Sequence, residues 1–277
     1  MKRILAIAVV AGLCILSGSK SYSGAHWPDV CLVAGETGSV LCAGLVEHFE
    51  LSDVSDSPRF GAGMSYLQEA PGQNVAVDTV GQGVGTGAAD FDGTTTKWLW
   101  ANASAPTETF TVTFRVKIQA AVGGADQLIF SWYNNNFVGP HVFFDDAATD
   151  RICLAVFEAE VGVTYREACQ NAVIGTWYFV TVGSSQFHDG KANIFISLND
   201  AARTTTAVTY WQQGGPSYMR ISGHPSTGPG NVSVLPADML LAELDFFTRP
   251  ISNYEQTLLY NGGGAPSNAL VFPYDTN

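Results

Sequence analysis

Basic residues are scarce in this chain. Its 277 residues hold 13 Lys and Arg against 25 Asp and Glu, a formal net charge of −12. No basic run offsets that balance, so nucleic-acid backbones and anionic membrane surfaces are repelled. The five His are scattered, with no two on one short element, which leaves no basis for a zinc centre. There is no G-x-S-x-G elbow and no local Ser-His-Asp or Cys-His signature, so acyl-transfer chemistry has no visible carrier. Long helical periodicity is missing, and the sequence predicts no helix longer than two turns. No internal repeat or interdomain linker divides the chain, and one large domain is expected.

The one apolar run that stands apart is Ile4 to Leu16, 13 residues behind the basic pair Lys2 and Arg3. It is too short to cross a bilayer and has the form of a secretory signal over residues 1–25, with cleavage after Ser23 or Ala25. Cys14 follows Leu13, where a lipid-anchoring signal needs a small residue. Loss of Lys2, Arg3 and Lys20 leaves 10 basic against 25 acidic residues, a net charge of −15. The expected product is secreted, extracellular or periplasmic, with no membrane insertion after cleavage.

Four cysteines then remain: Cys31, Cys42, Cys153 and Cys169. An even count in a secreted chain reads as disulfides, and four cysteines allow three pairings. Ile152–Phe157 and Val163–Cys169 flank a turn over residues 159–162, and folding them about Val161 sets Cys153 opposite Cys169. Cys31 and Cys42 then close a short loop, which stabilises by about 2–3 kcal/mol through the unfolded state.

The rest of the chain alternates with a period of two. The clearest case is Gly175 to Leu198. There Trp177, Phe179 and Thr181 fall on one face and Tyr178, Val180 and Val182 on the other, followed by Ile194, Ile196 and Leu198 on a shared face. Gly183-Ser184-Ser185 and Asp189-Gly190 supply turn chemistry between the two runs. In Thr109–Ile118, Phe110, Val112, Phe114, Val116 and Ile118 line a core side, and Thr109, Thr111, Thr113, Arg115 and Lys117 a polar one. Leu45–Leu51, Gln127–Tyr133, His141–Asp145, Thr204–Trp211, Tyr218–Ser222 and Met239–Phe247 read as further strands. About a dozen strands with Gly- and Pro-rich turns, and no α/β alternation, predict an all-β, two-sheet antiparallel β-sandwich.

Three stretches resemble one family. G-T-W-Y-x-V followed by D-G and L-N around residues 175–199 resembles the central hairpin of laminin-G-like, concanavalin A-like jelly rolls. Gly87–Gly93 resembles the G-x-A-x-F-D-G segment near the start of those domains. Leu240–Phe247, then Ser252-x-x-Glu255 and Leu259-Tyr260-Asn261-Gly262-Gly263, resembles their closing strand, terminal turn and tail. The resemblance covers residues 45–264, with an irregular lead-in over 26–44 and a tail over 265–277. It implies a jelly-roll scaffold that carries both lectins and glucanases. It also implies a structural calcium ion where first and closing strands meet, held by Asp245 and carbonyls near Glu50 and Leu51.

Glucanases of this fold place carboxylates at alternating strand positions, E-x-D-x-E or E-x-D-x-x-E. Here Glu243-Leu244-Asp245 begins such a motif, but Phe247 and Thr248 stand where the third carboxylate belongs. With that motif incomplete, a glycoside hydrolase or lyase of this fold is the least favoured of three readings. Sugar sites mix aromatic faces with amides and carboxylates. Trp132, Tyr133, Asn134 and Asn135 at a strand end, and Tyr210 with Trp211, have that composition. The expectation is a secreted, non-catalytic recognition domain that binds glycan. The alternative is a structural or adhesive subunit, on a virion or extracellular surface, that binds a cell-surface protein.

Overall fold

The computed structural model describes residues 44–49, 51, 68–69, 76–78, 88–94, 99–102, 109–134, 137–146, 149–158, 164–188, 191–209, 218–222 and 235–262. Its first strands are β1 (Leu45–Phe49), β2 (Gln68–Glu69), β3 (Ala76–Asp78), β4 (Ala88–Asp92), β5 (Leu99–Asn102) and β6 (Phe110–Ala120). There follow β7 (Gln127–Asn134), β8 (Phe137–Asp145), β9 (Arg151–Glu158), β10 (Thr164–Asn171), β11 (Trp177–His188) and β12 (Lys191–Leu198). The series ends with β13 (Thr204–Val208), β14 (Tyr218–Ile221), β15 (Leu235–Pro236) and β16 (Asp238–Phe247), then a helix, α1 (Asn253–Gly262). Cys31, Cys42, Glu50, Asn135, Tyr210, Trp211, the signal segment and the tail lie outside the described residues.

The strands make two eight-stranded sheets. Sheet A runs β13-β12-β11-β6-β16-β4-β3, with β1 also on β16; sheet B runs β10-β9-β8-β7-β14-β5-β2, with β15 also on β7. The fold is the antiparallel β-sandwich that the alternation predicts. Its core is the set of inward side chains: Phe110, Val112, Phe114 and Val116 of β6 meet Phe130 and Trp132 of β7. Their rings pack edge to face, Phe114 on Phe130 at 5.4 Å and Phe110 on Trp132 at 5.8 Å between centroids. Each such side chain contributes about 1.5–3 kcal/mol by leaving water.

Two features of sheet A depart from simple alternation. Gly183 is not in a turn: β11 continues through it, paired to Thr111 on one side and Phe195 on the other. A Cβ there would lie 2.3 Å from the Phe110 carbonyl oxygen and 2.8 Å from the Phe195 ring, so the strand needs glycine to let that ring lie across it. On β16 a bulge falls between Ala242, opposite Arg115, and Asp245, opposite Thr113. Glu243 takes the left-handed conformation at φ 51° there. The extra residue keeps Ala242, Glu243 and Asp245 all on the outer face, while Leu244 stays in the core. The same point marks a change of neighbour, since β4 pairs residues 238–241 and β1 pairs residues 244–247.

The polar side of β6 does not face water. Thr111, Thr113 and Arg115 are buried. They are covered by α1 and the segment before it, a helix of 10 residues where the sequence predicts nothing longer than two turns. Its start is a capping box: the Glu255 N–H donates to Ser252 Oγ at 3.2 Å and the Ser252 N–H to Glu255 Oε2 at 2.6 Å. The Arg249 guanidinium also holds Glu255, at 3.1 Å to Oε2. Burial pushes the Glu255 carboxyl up, but those bonds outweigh it and hold it below its ordinary range. The helix then packs Leu259 and Tyr260 with Phe179, Phe247 and Ile251. Mean apolarity along α1 is low, so this tertiary seat, rather than its own pattern, makes the helix.

Candidate ligand-binding site

The two outer faces differ in what covers them. On sheet A, register sets Asp245, Thr113, Thr181 and Ser197 in one row across β16, β6, β11 and β12. Thr113 Oγ1 donates to Asp245 Oδ2 at 2.9 Å, and Gln256 of α1 donates to Ser197 Oγ at 2.7 Å. Beside this row the Arg115 Nε–H donates to Glu243 Oε2 at 2.8 Å. The E-x-D pair is therefore buried, with Glu243 held by Arg115 and Asp245 by Thr113.

The strand contact that the calcium expectation requires is present, since β1 lies on β16 with His48 opposite Asp245. Asp245 brings a carboxylate, and Thr113 donates to it. The described residues alone do not make a calcium site. Among them, the group with metal-ligand spacing is Cys153, Glu167 and Cys169. Its two sulfurs are joined to each other, so they offer no thiolate.

Sheet B presents a different face. Pleating turns Ile152, Leu154 and Val156 of β9 into the core and sends Arg151, Cys153 and Ala155 outward. The neighbouring strands add His141, Phe143 and Asp145 from β8, and Tyr165, Glu167 and Cys169 from β10. Register fixes their order: Phe143, Cys153 and Cys169 form one row, and His141, Ala155 and Glu167 the next. The disulfide Cys153–Cys169 spans the directly opposed pair with Cα atoms 4.1 Å apart.

An aromatic patch lies beside the disulfide. His141 stacks on Phe143 at 5.5 Å and meets the Tyr165 ring edge-on at 5.4 Å. His141 and Phe143 are buried, whereas Tyr165 is half-buried and Glu167 exposed. Burial lowers the His141 pKa to about 4, so its ring is neutral near pH 7 and serves as packing.

Acidic groups rim the patch. Asp145 pairs with Arg151 directly across the β8–β9 register. Asp126, at the start of β7, is raised to about 6 by burial and then by the charges of Asp145 and Glu167, against the pull of Arg151. Glu167 is raised as well, chiefly by burial, with Arg151 opposing and Asp145 adding. Burial, Asp126 and Glu167 raise the Tyr165 hydroxyl to about 12, so it stays protonated. A half-buried ring, a phenol donor and two carboxylate acceptors thus converge on one sheet face. Such a set fits a hydroxylated ligand with an apolar side.

The sequence-predicted binding residues fall differently. Trp132 is 2 % exposed and sits between the sheets against Phe110, Phe130 and Phe246, so it is core and not a sugar platform. The reason is parity: Phe130 and Trp132 share the inward side of β7, and Ser131 takes the outward one. Tyr133 and Asn134 end β7, with Tyr133 opposite Tyr218 of β14. Tyr165 and Glu167 are missed by composition, because neither has an aromatic or amide neighbour in sequence. The usable signal is the cysteine register, which places both on the face of Cys169.

No family model matches the chain, and no curated protein is similar to it in sequence. Solved structures do resemble it. The receptor-binding domain of botulinum neurotoxin type G aligns with 79 % of this chain at 13 % identity and a TM-score of 0.58. The serotype D ligand-binding domain, solved with N-acetylneuraminic acid, gives 79 % coverage, 14 % identity and a TM-score of 0.60. A type C neurotoxin structure, whose cell uptake is described as dependent on two ganglioside molecules, gives the same three values. The likeness is one of fold. This chain spans about half of each of those domains, 51 % in all three.

Proposed function

We propose that this chain is a secreted, non-catalytic recognition domain that holds a glycan on the β8–β10 face of sheet B. The observation that carries the reading is the half-buried Tyr165 ring, with Glu167 exposed beside it on the outer side of β10 and Asp126 close enough to act on its hydroxyl. A pyranose offers a C–H face to such a ring and hydroxyls to the carboxylates. The Cys153–Cys169 disulfide supports an oxidising, extracellular or periplasmic location. Burial of Glu243 and Asp245 supports recognition over hydrolysis, because neither carboxylate reaches a substrate. The shared sandwich with toxin domains described with sialic acid and gangliosides supports a glycan over a protein as the partner.

The test is an immobilised glycan array probed with the secreted chain and with Tyr165→Ala. The reading expects defined glycan signals that weaken at least tenfold in the variant while the melting temperature holds. Absence of glycan signal, or signals indifferent to Tyr165→Ala, would refute it. Capture of a cell-surface protein without any glycan signal would favour the adhesive-subunit alternative.

A further inference from the structure

This inference rests on the glycan reading of the β8–β10 face. Two carboxylates, Asp126 and Glu167, act on Tyr165; a third, Asp145, acts on both of them and is paired with Arg151. Other described cations of sheet B lie off the patch. Arg166 neighbours Tyr165 and Glu167 on β10 but alternates to the opposite side of the strand. Arg220 occupies the same cross-sheet row as His141 and Glu167, on β14. Four strand spacings separate β14 from β10, which is about 19 Å.

We infer that Asp126 and Glu167 make this site select uncharged glycans and reject those ending in an acidic sugar. A carboxylate-bearing sugar stacked on Tyr165 would place its charge among like charges, and the Arg151 guanidinium beside them already pairs with Asp145. A neutral sugar meets the same carboxylates as hydrogen-bond acceptors. The specificity would then be the reverse of that of the sialic-acid-bound serotype D domain, on the same sandwich. Like-charge repulsion built against one ligand is a means of discriminating it from another.

The titratable and charged groups facing Asp126 are Asp145 on β8, Arg151 on β9, and Tyr165 and Glu167 on β10. Asp126 is the group that changes charge near pH 6. The filter should therefore weaken at pH 5, where Asp126 is protonated, and be full at pH 7.5. Salt should weaken it too, because Glu167 is exposed to solvent.

The experiment uses glycan pairs that differ in one treatment: an array of sialylated N-glycans, printed before and after sialidase digestion, probed at pH 7.5 and pH 5. The expected result is binding to the digested member at least tenfold stronger at pH 7.5, with a smaller ratio at pH 5. Glu167→Gln with Asp126→Asn should raise the signal on undigested members. Equal or stronger binding to the undigested member, or no gain in the double variant, would overturn the filter while leaving glycan recognition standing. Signal on neither member, nor on any other glycan, would instead bring down the proposed function beneath it.

Discussion

Arg115 and Glu243 meet at 2.8 Å beneath α1, and they can meet because a one-residue bulge turns Glu243 out of the core. Without the bulge, alternation along β16 would drive that carboxylate between the sheets. Removing the guanidinium strands a buried charge. Arg115→Met should cost about 3 kcal/mol in urea unfolding. Adding Glu243→Gln should recover more than half of that loss. A double variant no more stable than Arg115→Met would show that the two side chains are not coupled.

Gly183 permits the Phe195 ring to cross β11, and its Cβ site is closed by backbone as well as by that ring. Gly183→Ala should lose about 1–3 kcal/mol through overpacking. Phe195→Leu should not rescue it, because the Phe110 carbonyl at 2.3 Å stays in place. Calorimetry of the two single variants and the double decides this, and full rescue would place the strain on the ring alone.

Thr181 is 0 % exposed, and its hydroxyl has no hydrogen-bond partner among the described residues. An unsatisfied buried hydroxyl costs about 1–3 kcal/mol, so Thr181→Val should be neutral or stabilising. A loss above about 1 kcal/mol would mean that the hydroxyl is bonded in solution.

Two groups on sheet B give stability opposite slopes with pH. His141 has a folded pKa near 4 against an ordinary value of 6.5, so the unfolded chain binds the extra proton and stability rises with pH across that window. Asp126 is raised from 3.8 to about 6, so the folded chain keeps its proton longer and stability falls as pH rises between those values. His141→Asn should remove the rise and expose the fall. Denaturant titrations at half-unit steps from pH 4 to 7 measure both, and an unchanged profile would contradict the burial of His141.

The sandwich is legible in the sequence because period-two alternation survives along β6, β11 and β12, where one side must be dry. The β9–β10 register is legible for a related reason, since the two runs are symmetric about Val161 and bring the cysteines face to face. What alternation cannot show is a second layer over a sheet face. The threonines of β6 read as solvent-facing, and nothing local to them announces that Ser252 and Glu255 start a helix above. Glycine at 183 reads as a turn for the same reason, because the Phe110 carbonyl and the Phe195 ring that close its Cβ site come from other strands. The ligand face is illegible from composition because Tyr165, Glu167 and Asp126 converge only through strand pairing. Trp132 and its Asn-rich neighbourhood attract attention on composition, although parity assigns the indole to the core.

The central claim is where the glycan sits. Amide and aromatic chemical-shift mapping, with a neutral glycan identified on the array, tests it most directly. The account predicts the largest shifts at Tyr165, Glu167 and Asp126, with the resonances of Thr113, Thr181 and Asp245 unmoved. Shifts centred on the α1 side of sheet A, with Tyr165 unaffected, would contradict it.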